Sequence, residues 1–303
     1  MMAAERQAPL RGELMRDEPM AAHCSWRVGG PADRCYRPAD LDDLVAFLRG
    51  LPPDEPLYWV GLGSNLLVRD AGIRGTVILP FGGLDELVRE DGARLRAGAG
   101  VSCARVARFA TRNDLVGAEF LAGIPGTLGG ALAMNAGAFG AETWPLVRRV
   151  WTLHRSGELR ERRPADFRVG YRSVQGPADE WFVAAGLQLQ PGDGAAAQRR
   201  IRELLARRGA TQPVQQPSCG SVFRNPPGDH AARLIEASGL KGHRIGRAQV
   251  SEKHANFIVN LGGASAADIE ALIETVRDRV ARRQGVRLDT EVRIIGEKGG
   301  ARP

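Results

Sequence analysis

Gly123-Ile124-Pro125-Gly126-Thr127-Leu128-Gly129-Gly130-Ala131, followed by Asn135-Ala136-Gly137-Ala138-Phe139-Gly140, is the stretch on which the architecture turns. Pro125 ahead of Gly126 and Thr127 is a good entry into a helix, because proline presets φ and the first N–H groups of a helix point outward without an internal partner. Gly129 and Gly130 strip side chains from the helical face that follows, at ~1 kcal/mol of helix stability each. Such a cost is tolerated mainly where a ligand or another backbone must approach closely. The string therefore reads as an anion cradle, with close helix packing as the alternative.

A second glycine string lies upstream. Gly61-Leu62-Gly63-Ser64-Asn65-Leu66-Leu67-Val68 follows a strand-like run at 57–61. A dinucleotide fingerprint would need glycine at 66 and a helix after it; Leu66 and then Val68-Arg69-Asp70 deny both. What remains is a strand ending in a glycine turn whose N–H groups, with Ser64 and Asn65, could line an anion-binding concavity or simply form a tight turn. Two such cradles suit an extended diphosphate cofactor. Glycine is in excess throughout, 38 of 303 residues against a usual ~7%.

Around these strings the chain divides into a lead-in (1–19, possible disorder), two segments (20–85 and 86–192), and a third (193–303) that opens with a basic helix near 195–208. Helices are expected from Asp40, with Leu41, Leu44, Val45 and Leu48 on one face, from Ser102, at 229–238, and from Ser265. Ser265 and Asp268 form a capping box and Gly285 a stop. Strands are expected at 76–80, 94–99, 150–154, 181–189, 256–261 and 288–295. Strands and helices mix without strict alternation, so the class is α+β. The net charge of +7 comes from 42 basic and 35 acidic residues, and only Lys241, Lys253 and Lys298 are lysines. The arginines lack interleaved aromatics, so nucleic acid is not the expected partner. No apolar run is long enough to span a membrane and the first residues do not resemble a secretory signal, so a cytoplasmic location is expected. Cys24, Cys35, Cys103 and Cys219 have no metal-ligand spacing. Four reduced thiols are expected, with a Cys24–Cys35 pair as the alternative.

The order Trp26-Arg27-Val28-Gly29-Gly30-Pro31-Ala32, then the string at 61–68, then the string at 123–140, resembles the UDP-N-acetylenolpyruvoylglucosamine reductase family, and the similarity runs on to Glu297. It implies an FAD-binding fold of the vanillyl-alcohol-oxidase/PCMH type in two α+β subdomains, followed by an α+β substrate-binding domain. It also implies FAD and NADPH as cofactors, a UDP-sugar substrate in peptidoglycan precursor synthesis, and a monomer with no nucleic-acid or membrane partner. The implied cofactor-binding residues are Gly61, Gly63, Ser64, Asn65, Leu66, Gly123, Ile124, Pro125, Gly126, Thr127, Gly129, Gly130, Asn135 and Gly137; no metal site is implied. Forty positions separate Arg172 from Gln212, which suits the form of the family without its inserted tyrosine loop.

Reduction of an enol ether needs a hydride source, a proton donor for carbon, and stabilisation of a carboxylate-enolate. In Gln216-Pro217-Ser218-Cys219-Gly220-Ser221-Val222-Phe223-Arg224-Asn225-Pro226, Gly220 leaves Ser221 on a turn with Arg224 and Asn225 near it. Alone this is an ordinary turn serine; the resemblance makes Ser221 the proton donor and Asn225 a substrate contact, with Cys219 and Arg224 departing from the family's more usual alanine and lysine. By itself Arg172 is one surface arginine among many. The family's Y-R-x-S context, here Tyr171-Arg172-Ser173 with Gly170 before and Val174 after, is what the resemblance matches to the catalytic arginine, whose planar fork suits a carboxylate of growing charge. Glu291, expected on an alternating strand sharing a face with Asp289 and Arg293, could be solvated; the resemblance places the catalytic glutamate there. Tyr171, Arg224, Lys241, Lys253 and His254 complete the substrate-contact candidates, His254 with a core histidine as the alternative. Two rival readings stay open at this point, a flavin-dependent alcohol oxidase of the same superfamily and a non-catalytic nucleotide- or RNA-binding protein.

Overall fold

A computed structural model describes residues 9–298 of the chain. By their contacts these residues group into two compact units, one from residues up to 15, 34–61 and 75–202, the other from 16–33, 62–74 and 203 onward. The grouping differs from the sequential division at 85 and 192. Short segments around Trp26 and Leu66 join the C-terminal part rather than their sequence neighbours, because their buried side chains belong to its core.

In the first unit the central feature is a five-stranded sheet in the order Leu159–Arg162, Val147–His154, Glu180–Gln188, Arg94–Gly98 and Leu87–Glu90. Every neighbouring pair in it is antiparallel. The helices Cys103–Arg112 and Leu128–Met134 contribute Val106, Ala107, Ala110, Leu128 and Leu132 to a core with Leu95, Val150 and Leu187. Both helices begin where expected: the side chains of Asp40 and Ser102 accept from Asp43 and Arg105 N–H at the starts of Leu41–Arg49 and Cys103–Arg112. Leu44, Phe47 and Leu48 pack with Tyr36, Ile78 and Leu153.

The second unit is built on a three-stranded antiparallel sheet, Arg244–Ile245, Ala248–Val250 and Ile258–Asn260. The helix Ala266–Gln284 lays Ile269, Leu272, Ile273, Val276 and Val280 into the core. Its Ser265–Asp268 capping box and left-handed Gly285 stop are both formed. Asp70 adds a second clamp, its two oxygens accepting from Ala266 and Ala267 N–H at 2.9 Å each.

Two expectations are corrected, and the alternative Cys24–Cys35 pair is excluded while the expected free thiols are found. Residues 1–8 of the supposed lead-in lie outside the described residues, but Glu13–Pro19 is a strand paired with Pro31–Arg37. It sits at a sheet edge with most side chains exposed, so backbone hydrogen bonds hold it and no apolar alternation marks it. The strand expected over 288–295 is regular only at Arg293–Ile295, which pairs in parallel with Leu66–Val68. Glu291 therefore does not share an alternating face with Asp289 and Arg293. All four cysteines are free and buried. The sulfur neighbouring Cys24 is that of Cys219 rather than Cys35: both thiols donate to the carbonyl of Leu66, at 2.9 and 3.2 Å.

Candidate active site

The two units each carry part of the expected site. Gly61, Gly123–Thr127, Gly129, Gly130, Asn135, Gly137, Tyr171 and Arg172 lie in the first; Gly63, Ser64, Asn65, Leu66, Ser221, Arg224, Asn225, Lys241, Lys253, His254 and Glu291 lie in the second.

In the first unit the end of the 57–61 run meets the glycine string at 123–131. A Cβ on Gly61 would stand 2.5 Å from Thr127 Oγ1, so only glycine permits the approach. Most glycines here answer to the protein's own packing: a Cβ on Gly129 would press on Ala99, and one on Gly123 on the Phe139 ring. Ile124 is buried in the core and Pro125 is exposed. The expectation that the first N–H groups of Leu128–Met134 point outward fails. Leu128 donates to Val101 O, Gly129 to Ala99 O, and Gly130 to the cap Thr127 Oγ1. Gly130 is different in kind, because a Cβ there would meet nothing nearer than Thr127 Oγ1 at 3.6 Å. No packing need removes its side chain, and the exposed helix face is left open to a ligand laid against it. Steric room rather than a fan of helix-terminal donors is what the glycines offer a flavin nucleotide, and in that respect the residues fit one.

Asn135 ends this helix in the left-handed region at φ 43°. Its amide donates to Glu142 Oε2 at 2.8 Å and to Gly170 O at 3.2 Å, and its Oδ1 accepts from Trp144 N–H at 3.2 Å. The side chain is thereby turned inward, to the protein rather than a cofactor. Its backbone carbonyl accepts from Arg172 Nη1 at 3.3 Å, and that of Gly137 from Arg172 Nη2 at 3.0 Å. Arg172 occupies the turn between Arg168–Gly170 and Ser173–Gln175. Its φ of +51° is a strained choice for a residue with a Cβ, costing ~1 kcal/mol or more. The guanidinium lies 5.2 Å from the centre of the exposed Tyr171 ring. Strain, two carbonyls and a ring together fix where the planar fork sits.

In the second unit Ser221 follows Gly220, whose φ of +71° makes the turn. The next residue, Val222, accepts from Glu291 N–H at 2.8 Å, and Asn65 Nδ2 donates to Glu291 O at 3.0 Å. Val222, Glu291 and Asn65 are thus hydrogen-bonded together from three distant stretches, with Ser221 next to the first. Gly63, with φ +57°, is required by backbone: a Cβ there would stand 1.9 Å from His23 O. Ser64 next to it is half-buried. Leu66 is buried in a strand and serves the core. Arg224 N–H donates to Asp289 O at 2.9 Å.

The remaining substrate-contact candidates have protein partners. Asn225 Oδ1 accepts from Ala231 N–H at 3.1 Å at the start of the next helix. Lys241 pairs with Glu236 at 3.2 Å. Lys253 Nζ donates to the carbonyl of Gly209 in the last turn of Gly194–Thr211, where a cation complements the helix dipole. His254 packs edge-on to Phe257 with ring centres 4.8 Å apart, and its Nδ1 accepts from Asn256 N–H at 3.3 Å. Burial pushes its pKa down, so the ring is neutral at pH 7 and acts as an acceptor.

Comparison with known proteins shows the family. A family profile described as "FAD binding domain" matches residues 32–161, which makes the chain a flavin-binding oxidoreductase in fold. A second, "UDP-N-acetylenolpyruvoylglucosamine reductase, C-terminal domain", matches residues 212–295. Proteins named UDP-N-acetylenolpyruvoylglucosamine reductase from Alkalilimnicola ehrlichii and Methylococcus capsulatus are 69% and 67% identical, covering 98% and 97% of this chain and 99% and 97% of their own lengths. The crystal structure of UDP-N-acetylenolpyruvylglucosamine reductase from Thermus caldophilus superposes with a TM-score of 0.80 at 33% identity, covering 94% of this chain and 98% of that one. The chain belongs to the UDP-N-acetylenolpyruvoylglucosamine reductase family. Its fold is α+β with an FAD-binding domain of the PCMH type.

Proposed function

We propose that the chain catalyses the NADPH-dependent reduction of enolpyruvyl-UDP-N-acetylglucosamine to UDP-N-acetylmuramate, a step in making peptidoglycan precursors. FAD, when bound, supplies the chemistry of accepting a hydride from NADPH and delivering it to the enol ether. Residues of the 61–66 string and of Gly123–Gly137 are the ones to hold it. Gly130 gives room, while Asn65, Leu66 and Asn135 shape the backbone around the others. The earlier division is retained as a functional one, with residues 20–85 and 86–192 serving the flavin and 193–303 the substrate.

The protein's own task is proton delivery and charge stabilisation. Ser221 protonates C2 of the substrate. Its hydroxyl is a weak acid, so the developing alkoxide needs neighbouring support. Glu291 orients the donor, and Arg172 meets the substrate carboxylate as negative charge grows on it. Tyr171, Arg224, Asn225, Lys241, Lys253 and His254 surround the sugar nucleotide directly or by setting the loops that do. The observation that supports this reading is the Glu291 N–H to Val222 carbonyl bond at 2.8 Å, which joins the backbone of the residue after Ser221 to that of Glu291. Between Arg172 and Gln212 the chain forms Ser173–Gln175, Glu180–Gln188 and Gly194–Thr211, which supports the form lacking the tyrosine loop.

No helix among the described residues is long and apolar enough to cross a membrane. A monomer in the cytoplasm, with a UDP-sugar and no nucleic acid as partner, completes the proposal. The test is an absorption spectrum of the purified protein. It should be yellow, bleach with NADPH, and recolour on addition of the enolpyruvyl UDP-sugar under anaerobic conditions. Recolouring by oxygen alone, with steady O2 consumption and an alcohol as reductant, would replace this reading with an oxidase.

A further inference from the structure

The segment that carries Ser221 belongs to no regular sheet, yet its backbone is fully engaged where it matters. On one side Phe223 bridges to Thr290, Val222 O accepts from Glu291 N–H, and Arg224 N–H donates to Asp289 O. On the other side stands Asn256. Its backbone carbonyl accepts from Val222 N–H at 2.9 Å, its Oδ1 from Phe223 N–H at 2.9 Å, and its Nδ2 donates to Phe223 O at 2.8 Å. Asn256 is 4% exposed and Phe223 1%. The side chain thus copies a neighbouring strand, offering one donor and one acceptor in a plane as a peptide group does. A primary amide of this length does both at once, and in a buried position water cannot stand in for it.

We propose that Asn256 is a positioning residue for proton delivery: its amide clamps Val222–Phe223, which fixes Ser221 on one side and the carbonyl that receives Glu291 on the other. The inference rests on the reading of Ser221 and Glu291 given above. Asn256 acts through the backbone and does not itself move a proton.

The test uses the FAD-loaded protein and two variants, Asn256→Ala and Asn256→Asp. Reduction of the flavin by NADPH should stay within about twofold of wild type in both. Reoxidation by the enolpyruvyl substrate should slow at least tenfold in Asn256→Ala, and its solvent deuterium isotope effect should rise, because proton transfer becomes more fully rate-limiting. Asn256→Asp keeps the acceptor for Phe223 N–H and loses the donor to Phe223 O, so it should fall between. Independently of activity, amide hydrogen exchange at Phe223 and Glu291 should accelerate in Asn256→Ala, and in Asn256→Asp less so at Phe223. If Asn256→Ala does not fold, Asn256→Asp carries the same comparison. Equal slowing of both half-reactions with an unchanged isotope effect, or no slowing with unchanged exchange, overturns the positioning role. A wild-type protein that substrate does not reoxidise overturns the functional reading and the inference with it.

Discussion

Asn65 Nδ2 donates to the backbone carbonyl of Glu291 at 3.0 Å, joining two residues 226 positions apart. Arg293 N–H returns the contact to Asn65 O at 3.1 Å, so the glycine turn at 61–65 and the last strand are locked in register. Asn65→Asp removes the donor with little change of volume. The lost hydrogen bond is worth ~1 kcal/mol. Faster amide exchange across 289–293 and several-fold slower reoxidation of the flavin by substrate are expected; unchanged exchange would show that the register is held without Asn65.

Ser221→Ala should separate the two halves of the reaction. Flavin reduction by NADPH should be nearly normal, while its oxidation by the enolpyruvyl substrate should fall by roughly 10²–10⁴-fold, the usual contribution of a general acid. Stopped-flow absorbance at the flavin band measures both. Equal damage to the two steps would deny Ser221 the donor role.

Acid should attack the first unit at Glu180. Its side chain is 1% exposed and receives Arg160 Nη1 and Arg162 Nη2 at 2.6 Å each, with Thr152 Oγ1 also at 2.6 Å. Burial acts to raise its pKa, but the arginines and the hydroxyl outweigh it and hold the carboxyl at about 2. The folded value lies below the unfolded ~4.3, so the stabilisation is complete above that pH and disappears as pH falls toward 2. Glu180→Gln should cost ~3 kcal/mol at pH 7. In urea titrations the gap between variant and wild type should close between about pH 4.5 and 2.

The thiols should be slow to react in the native protein. Burial pushes Cys103 up to about 12. Burial and then the neighbouring Cys24 raise Cys219, while the hydrogen bond with Cys219 lowers Cys24. A thiol reagent should label all four only after unfolding in guanidinium. Rapid labelling of Cys24 in the folded protein would show that the Trp26 segment opens.

Local chemistry made part of this legible beforehand. The helix starts at Asp40, Ser102 and Ser265 and the stop at Gly285 were readable because each depends on a few consecutive residues. Ser221, Arg172 and Glu291 stood out through resemblance, and their surroundings did not. Asn135 looked like a cofactor ligand because it sits in a glycine string, but its amide faces Glu142, Gly170 and Trp144. Only long-range partners decide that orientation. Asn256 was visible within His254-Ala255-Asn256-Phe257, yet nothing local says that its amide reaches Phe223. Lys253 drew notice as a rare lysine, but its reach to the helix end at Gly209 depends on a long-range partner that no local pattern shows. The glycines misled in one respect: Gly63 and Gly129 are small for the sake of His23 and Ala99, and Gly130 alone of these three leaves open space.

The chain passes between its two units at 15/16, 33/34, 61/62, 74/75 and 202/203. On a ribosome, Trp26 would emerge 232 residues ahead of Ile258, to whose carbonyl its indole donates at 2.7 Å. The second unit can mature only after its segment from residue 203 onward has been made. Neither unit could be excised by a single cut, and a stalled nascent chain would present that tryptophan, and Leu67 with it, to whatever chaperone stands nearest.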